Sequence, residues 1–278
     1  MSEVRRATTP VRVVRVRSGG MGERPDMVVT EEPLEIRGGG PGQDPTPVAV
    51  TMRTPGHDFE LAAGFLYTEG LLDGRADVAA VKYCELPGDQ EQHFNVVTVC
   101  LTRAWRIERP RSFLTTSSCG VCGKASIDQI EVSCAALPSL APLPASLIGS
   151  LPDRLGAQQR LFRQTGGLHA AGVFTRTGEL TCLREDVGRH NAVDKTVGHA
   201  LLGDRLPLHD HVLVVSGRLS FEIVQKAARA GMAVVVAVSA PSSLAVAAAD
   251  RLGVSVAAFV RDGAFNVYSH PERIDLTA

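Results

Sequence analysis

The stretch from Val212 to Val238, V-L-V-V-S-G-R-L-S-F-E-I-V-Q-K-A-A-R-A-G-M-A-V-V-V-A-V, decides how the chain folds. Two β-branched runs, Val212–Val215 and Ala233–Val238, bracket Phe221–Ala230, whose apolar residues recur at helical spacing. Runs that are apolar at every position belong to strands buried on both faces. The unit is therefore strand, helix, strand, one crossover of an α/β layer. Outward from it the pattern repeats. Ala171–Phe174, Leu180–Arg184 and Val254–Val260 read as strands, and Leu155–Gln164, Asn191–Leu202 and Ser243–Leu252 as helices. Pro138–Pro152, rich in Pro, Ser and Leu, reads as a linker. A C-terminal α/β domain over residues 127–278 is expected.

The first 112 residues are patterned differently. Val11–Val16 alternates Val and Arg, the period of a half-buried strand. A Gly-rich turn (Ser18–Gly22) follows, then a strand over Val28–Ile36 interrupted by Pro33, and an exposed Gly/Pro-rich loop from Arg37 to Pro47. Val48–Arg53 predicts a third strand. An amphipathic helix follows from His57 to about Leu72, with Phe59, Ala62, Ala63, Leu66 and Leu71 on its apolar side. Val78–Tyr83 and Phe94–Leu101 are further strands. Strands with one long helix suggest a smaller N-terminal α+β roll over residues 1–112. The fold class is thus two-domain, α+β then α/β.

Composition bounds the function. The chain has 278 residues, 44% hydrophobic and 21% charged, with a net charge of −1. That describes an ordinary globular protein with a full core. No overall field marks nucleic acid or a membrane surface as partner. Apolar runs such as Ala233–Val238 are far short of the ~20 residues a membrane span needs, and the N-terminus lacks the apolar region of a signal peptide. Six cysteines in a chain this long are no disulfide scaffold, and a reducing cytoplasm is expected.

Two of those cysteines, Cys119 and Cys122, lie in T-T-S-S-C-G-V-C-G-K-A-S, Thr115–Ser126, between Gly120 and Gly123 and ahead of Lys124. Glycine permits sharp turns and positive φ, so residues 113–126 read as a mobile loop presenting two thiols. C-x-x-C spacing, a nearby Lys and a helix N-terminus each lower a thiol pKa and favour the nucleophilic thiolate. Structural zinc needs four ligands, usually as two paired half-sites, and a second C-x-x-C is absent from the sequence. A zinc deaminase needs H-x-E ahead of P-C-x-x-C; His169-Ala170-Ala171 lacks the acid and follows the pair. A thioredoxin-like pair would follow the first strand of a βαβ unit, whereas this one lies between two domains. Sulfur carriage fits best, because a low-pKa thiol on a loop can take up and pass on a sulfane sulfur by thiol exchange. A non-catalytic binding chaperone and a dithiol oxidoreductase stay open beside it.

Two strand-to-helix junctions, Ser216–Ser220 beside Arg218 and Ser239–Ser243, are candidate anion sites, since helix N-termini carry unpaired N–H groups and partial positive charge. The alternative is that Ser220 and Ser242 only cap their helices. Arg184–Lys195 (R-E-D-V-G-R-H-N-A-V-D-K) concentrates Arg, His and Lys and reads as an anion- or substrate-facing surface, with Asp194 placed to pair with His190 at i,i+4. His169, in G-G-L-H-A-A-G, reads first as a packed or hydrogen-bonded histidine, with the close glycines allowing a ligand role.

Thr116–Lys124, Gly166–Gly172, Glu185–Lys195 (E-D-V-G-R-H-N-A-V-D-K), Ser239–Ala245 and Tyr268–Ile274 together closely resemble the formate dehydrogenase accessory sulfurtransferases, the FdhD-type sulfur carriers. The resemblance implies a cytidine-deaminase-like C-terminal domain without zinc, no metal of its own, and a homodimer. It further implies a persulfide on Cys119 with Cys122 as its partner. Sulfur would come from a cysteine desulfurase and go to the molybdenum bis(molybdopterin guanine dinucleotide) cofactor, bound as substrate and destined for formate dehydrogenase. By position, the family's guanine dinucleotide contact falls on Phe259, Val260, Arg261, Asp262, Gly263 and Ala264. Family members often have more than one basic side chain in that segment; here Arg261 is the only one.

Overall fold

A computed structural model describes residues 6–84, 94–105, 113–115 and 134–277. Within them, β1 (Thr8–Arg17) and β2 (Gly20–Val29) form an antiparallel hairpin turning at Ser18-Gly19. Next come β3 (Glu32–Gly39), β4 (Thr46–Arg53), helix α1 (Asp58–Thr68), β5 (Val78–Tyr83), β6 (Val96–Leu101) and the short β7 (Phe113–Thr115). These strands make a five-stranded sheet in the order β5-β6-β3-β4-β7.

Then follow β8 (Leu143–Pro144), α2 (Ala145–Gln158), α3 (Arg160–Thr165), β9 (His169–Thr175), β10 (Leu180–Asp186) and α4 (Arg189–Leu202). The chain continues through β11 (His211–Val215), α5 (Phe221–Arg229), β12 (Val234–Ala237), α6 (Ser243–Leu252), β13 (Ser255–Arg261), β14 (Ala264–Ser269) and β15 (Ile274–Asp275). The second sheet runs β10-β9-β11-β12-β13-β14, with β11, β12 and β13 parallel. Together the two halves are a mixed α/β structure with sheets and six helices among the described residues.

The strand runs are apolar throughout because both faces of this sheet are covered. Leu213, Val215, Val235, Ala237, Val256 and Ala258 pack into one cluster with α4, α5 and α6. The alternate residues Val212, Val214, Val234, Val236 and Ala257 pack against Ile148, Leu151 and Leu155 of α2. The first cluster runs on without a break into α1 and the five-stranded sheet, through Leu61, Phe65, Leu66, Ile36 and Val97. The seam is the crossing of α1 with α4. A Cβ added at Gly198 would lie 1.8 Å from the Glu60 carbonyl oxygen, and one at Gly64 would lie 1.9 Å from that of Asp194. Backbone meets backbone there, which only glycine allows.

Several local expectations change. The break after β2 falls at Thr30-Glu31 and not at Pro33, which sits inside β3 opposite Met52. The loop expected over Arg37–Pro47 is shorter, since β3 runs to Gly39 and β4 starts at Thr46. The supposed linker Pro138–Pro152 contains β8 and half of α2, with Pro152 inside the helix. Proline there removes one backbone bond, but Ile148, Leu151 and Leu155 are buried along one face, and that packing keeps the helix. The helix expected over Leu155–Gln164 is broken at Gln159, whose ψ of 84° is extended and not helical.

Gly198→Ala is expected to cost about 3 kcal/mol or more, at the upper end of overpacking because the clash is with backbone. Urea denaturation followed by circular dichroism measures it. A loss below about 1 kcal/mol would mean the helices are not in contact.

Candidate functional site

Most of the polar run Arg184–Lys195 faces inward, contrary to its reading as a ligand-facing surface. Lys195 Nζ lies 2.6 Å from Asp186 Oδ2, and both side chains are buried. Asp186 also accepts from the backbone N–H of Thr54 (3.1 Å) and Gly188 (2.8 Å) and from Asn191 Nδ2 (3.0 Å). Lys195 donates to the Thr54 carbonyl (2.9 Å), and Asn191 to that of Met52 (2.8 Å). The motif thus bolts the start of α4 to the end of β4. Asp194 does not pair with His190. It takes Lys226 of α5 at 2.7 Å and the Thr68 hydroxyl of α1 at 2.7 Å. Burial would lower the Lys226 pKa, but Asp194 and Glu69 outweigh it and hold the ammonium above its ordinary value. Arg184 grips Glu60 of α1 through Nε and Nη2, at 2.5 and 2.7 Å. Burial alone would raise Glu60; the Arg184 and His57 hydrogen bonds overcome it and hold the carboxyl well below its usual range.

Arg189 turns the other way and lines a cleft of about 430 Å3 at the carboxyl ends of β11 and β12, and His190 contacts two of its lining residues, Ser220 and Glu222. Open α/β sheets bind ligands at this edge. Its lining includes Arg189, Arg218, Ser220, Glu222 and Ser242, with Leu219, Phe221, Pro241 and Leu244 as apolar walls. The two junctions read as anion sites form one floor, since Leu219 N–H donates to the Ala240 carbonyl (3.0 Å) and Ser242 N–H to that of Leu219 (2.9 Å). Ser242 caps α6 by accepting from Ala245 N–H at 3.2 Å. Ser220 makes no side-chain cap; its hydroxyl lies 3.0 Å from His190 Nε2, which is also 2.9 Å from Glu222 Oε2. Glu222 escapes sequence reading because an acid in the first turn of a helix is already explained by the helix dipole. His169 packs against Gly217, the residue before Arg218, where an added Cβ would come 3.1 Å from its Nδ1. Burial, reinforced by Arg189, His190 and Arg218, holds its pKa below the ordinary histidine value.

The segment Phe259–Ala264 is the end of β13 and its turn into β14. Asp262 and Gly263 both have positive φ (51° and 78°), the geometry of a tight Asp-Gly hairpin. Phe259, half-exposed and also at positive φ, donates its N–H to the Ser239 carbonyl at 3.4 Å, so the segment adjoins the cleft floor. Val260 is buried among residues under α2, leaving only its backbone for a ligand.

Cys119 and Cys122 lie outside the described residues. The described chain stops just before them, at β7, whose Leu114 and Thr115 pair with Val50 and Thr51 of β4. Thr51 in turn donates its hydroxyl to Asn191 Oδ1 at 3.2 Å, one residue from His190. Of the other cysteines, Cys182 is buried and its thiol is pushed up to about 11, so it stays protonated.

Asp186→Ala strands a buried ammonium and three donors, and is expected to cost about 3–5 kcal/mol. Lys195→Met, which leaves the carboxylate its N–H donors, should cost less. Chemical denaturation of both variants tests the order, and equal or reversed losses would refute it. Because the folded pKa of His169 is depressed, the unfolded chain binds its proton first as pH falls through about 6.5. Stability therefore drops below that pH. A proton NMR titration should place the His169 midpoint under 6.5; a midpoint at or above it would contradict the packing described.

The comparisons with known proteins agree with one another. The family model described as FdhD/NarQ matches residues 29–275. A protein of Streptomyces coelicolor named "Sulfur carrier protein FdhD" is 50% identical over 281 residues, covering 98% of each chain. One of the same name from Sulfurisphaera tokodaii is 42% identical, covering 95% of this chain and 98% of its own. A crystal structure from Desulfotalea psychrophila, described as a formate dehydrogenase accessory protein, superposes with a TM-score of 0.73 at 27% identity, over 97% of this chain and 100% of that one. The chain belongs to the FdhD/NarQ family.

Proposed function

We propose that this chain is a sulfur carrier serving formate dehydrogenase, with Cys119 as the residue that bears the sulfur. The names of its relatives support the carrier role. The observation that carries the reading is the pairing of Thr115 with Thr51, which roots the cysteine stretch beside the first turn of α4. Cys119 follows four residues later, within at most about 14 Å of extended chain. The reading requires that this reach bring the thiol to a donor outside and to an acceptor bound in the cleft.

The chemistry is thiol exchange. The Cys119 thiolate attacks the terminal sulfur of a persulfide on a cysteine desulfurase. A new S–S bond forms on Cys119, the old one breaks, and the donor cysteine leaves as thiolate, with no net redox change. Delivery reverses the roles. The acceptor is the molybdenum of the bis(molybdopterin guanine dinucleotide) cofactor, bound as substrate. An electron pair of the reduced metal takes up the neutral sulfur atom, which becomes sulfide as the metal is oxidised by two electrons, and Cys119 leaves as thiolate. Cys122 protects or assists Cys119, since a nucleophilic thiolate is prone to over-oxidation. Arg189 and Arg218, beside the amino ends of α5 and α6, supply positive potential for the cofactor's phosphates. The backbone of Phe259, at the start of Phe259–Ala264, bonds the same floor.

Cys119→Ala should abolish the yield of active formate dehydrogenase in cells lacking the native copy. Incubation of wild-type protein with a desulfurase and cysteine should make the peptide Thr115–Lys124 one sulfur atom heavier, and the alanine variant should show no such species. Full enzyme activity with both thiols removed would instead establish a chaperone that binds the cofactor without sulfur chemistry.

A further inference from the structure

The ribbon β1–β2 does not line the cleft, yet it springs from the end of the sheet that leads toward the cysteines. β4 pairs parallel with β7 and antiparallel with β3, so Thr115, ending β7, and Glu32, starting β3, share one end of that sheet. Thr51 pairs with Leu34 on one side and Thr115 on the other, which sets those two about 10 Å apart. At the ribbon's base, Val29 Cγ1 lies 3.3 Å from where a Cβ on Gly167 would stand. From Val14 to Pro25 every residue is exposed.

Strand register divides the ribbon into two unlike faces. Val14 and Val16 share one with Met21 and Glu23, and the three apolar side chains are 57%, 75% and 81% exposed. Arg15, Arg17 and Arg24 share the other, around an open concavity of about 610 Å3. Gly22 lies opposite Arg15, and a Cβ there would meet nothing within 4 Å among the described residues. The chain's own packing therefore does not demand that bare floor between the arginines. Arg24 holds Asp26 at 3.1 Å. Over Thr8–Val29 four arginines stand against Glu23 and Asp26, a charge of +2 in a chain whose total is −1. A two-stranded hairpin is at best marginally stable alone, and this one shows water an apolar strip, a cationic face and two strand edges.

We propose that β1–β2 is the docking arm for the protein that donates the sulfur, and that it takes a surface setting carboxylates beside an apolar strip. This rests on the proposed sulfur carriage. In that reaction the acceptor is a small molecule held in the cleft, whereas the donor sulfur sits on another protein. Loading is thus the step that needs a macromolecule brought to the thiol. Arginines grip carboxylates through paired N–H groups, and a protein surface can also satisfy the N–H and C=O groups of a strand edge. A bilayer would leave those edges unpaired and would have to take up Glu23 on the apolar face. A nucleic acid would use the arginines and leave the apolar face in water.

The test follows sulfur loading of the peptide Thr115–Lys124 in the full chain by mass spectrometry. One arm uses a cysteine desulfurase with cysteine, the other glutathione persulfide. The triple variant Arg15→Glu, Arg17→Glu, Arg24→Glu should load from the desulfurase about tenfold more slowly at low salt. Its loading from glutathione persulfide should match wild type, which also shows that the variant is folded. Raising salt from about 50 to about 500 mM should remove most of the difference between the two proteins. Met21→Asp, on the apolar face, should slow desulfurase loading about tenfold at either salt. Equal desulfurase rates in wild type and the triple variant would overturn the inference. So would equal slowing with both donors, which would place the effect on the thiol itself. A dimer in wild type that sedimentation shows to be lost in the triple variant would also overturn it, making the ribbon a contact between copies. Failure of wild type to take sulfur from either donor would instead remove the carrier reading on which the proposal rests.

Discussion

The structure depends on one buried ion pair, Lys195 with Asp186, and on the ring of donors and acceptors closed around it. Removing two charges from water costs several kcal/mol per ion, so such a pair is a poor source of net stability. What it supplies here is position. Asp186 ends β10, Lys195 sits on α4, and the partners that satisfy both are backbone groups of Thr54 and Gly188 and the amide of Asn191. A shift of α4 by one residue would leave several of these unpaired without water, at about 1–3 kcal/mol each. The register of α4 against the end of β4 is therefore fixed, and with it the direction of Arg189 and His190.

The same economy runs along the seam. Gly64 and Gly198 let α1 and α4 touch backbone to backbone. At that contact Asp194, Lys226 and Thr68 join three helices through one carboxylate. The two sheets are consequently parts of one buried cluster, though the sequence patterns of the two halves differ. Compositional change along a chain reports a change of local structure, and continuity of the core is a separate property set by side chains far apart in sequence.

How much was legible follows from this. Period and β-branching exposed nearly every strand of the second sheet, and α6 was read to the residue, because burial on both faces leaves an unmistakable run. The hairpin to β14 was missed although Asp262-Gly263 is a standard turn signal, because the flanking residues do not alternate cleanly. α2 was hidden by Pro152 and by its Pro- and Ser-rich approach, where packing of Ile148, Leu151 and Leu155 overrides a local breaker. In the polar run Arg184–Lys195 the sequence marks density of charge but not its direction. Contacts divide the run into a set turned toward β4, α1 and α5, namely Arg184, Asp186, Asn191, Asp194 and Lys195, and a pair on the cleft side, Arg189, which lines it, and His190, which holds Ser220 and Glu222. Nothing in residue type separates those sets. Glu222 lies some thirty residues from His190, and only the fold brings them together.

Under the proposed function, a carrier needs a firm site for its cargo and a reactive atom that can reach both donor and acceptor. The cleft floor is the junction of two βα units, cross-linked by Leu219, Ala240 and Ser242 and backed by a fully packed sheet. Such a surface pays little reorganisation on binding, which is how preorganised sites gain affinity. The sequence segment that holds the cysteines follows directly on β7, which pairs with β4 over three residues. Thr51 joins the strand that pairs with β7 to the start of α4 through its contact with Asn191. A thiol built into the floor would meet the bound acceptor but no external donor, and one on a distant loop would meet the donor alone. On the proposed reading, a segment that follows β7 would give one sulfur atom access to both while the packed sheet stays in place.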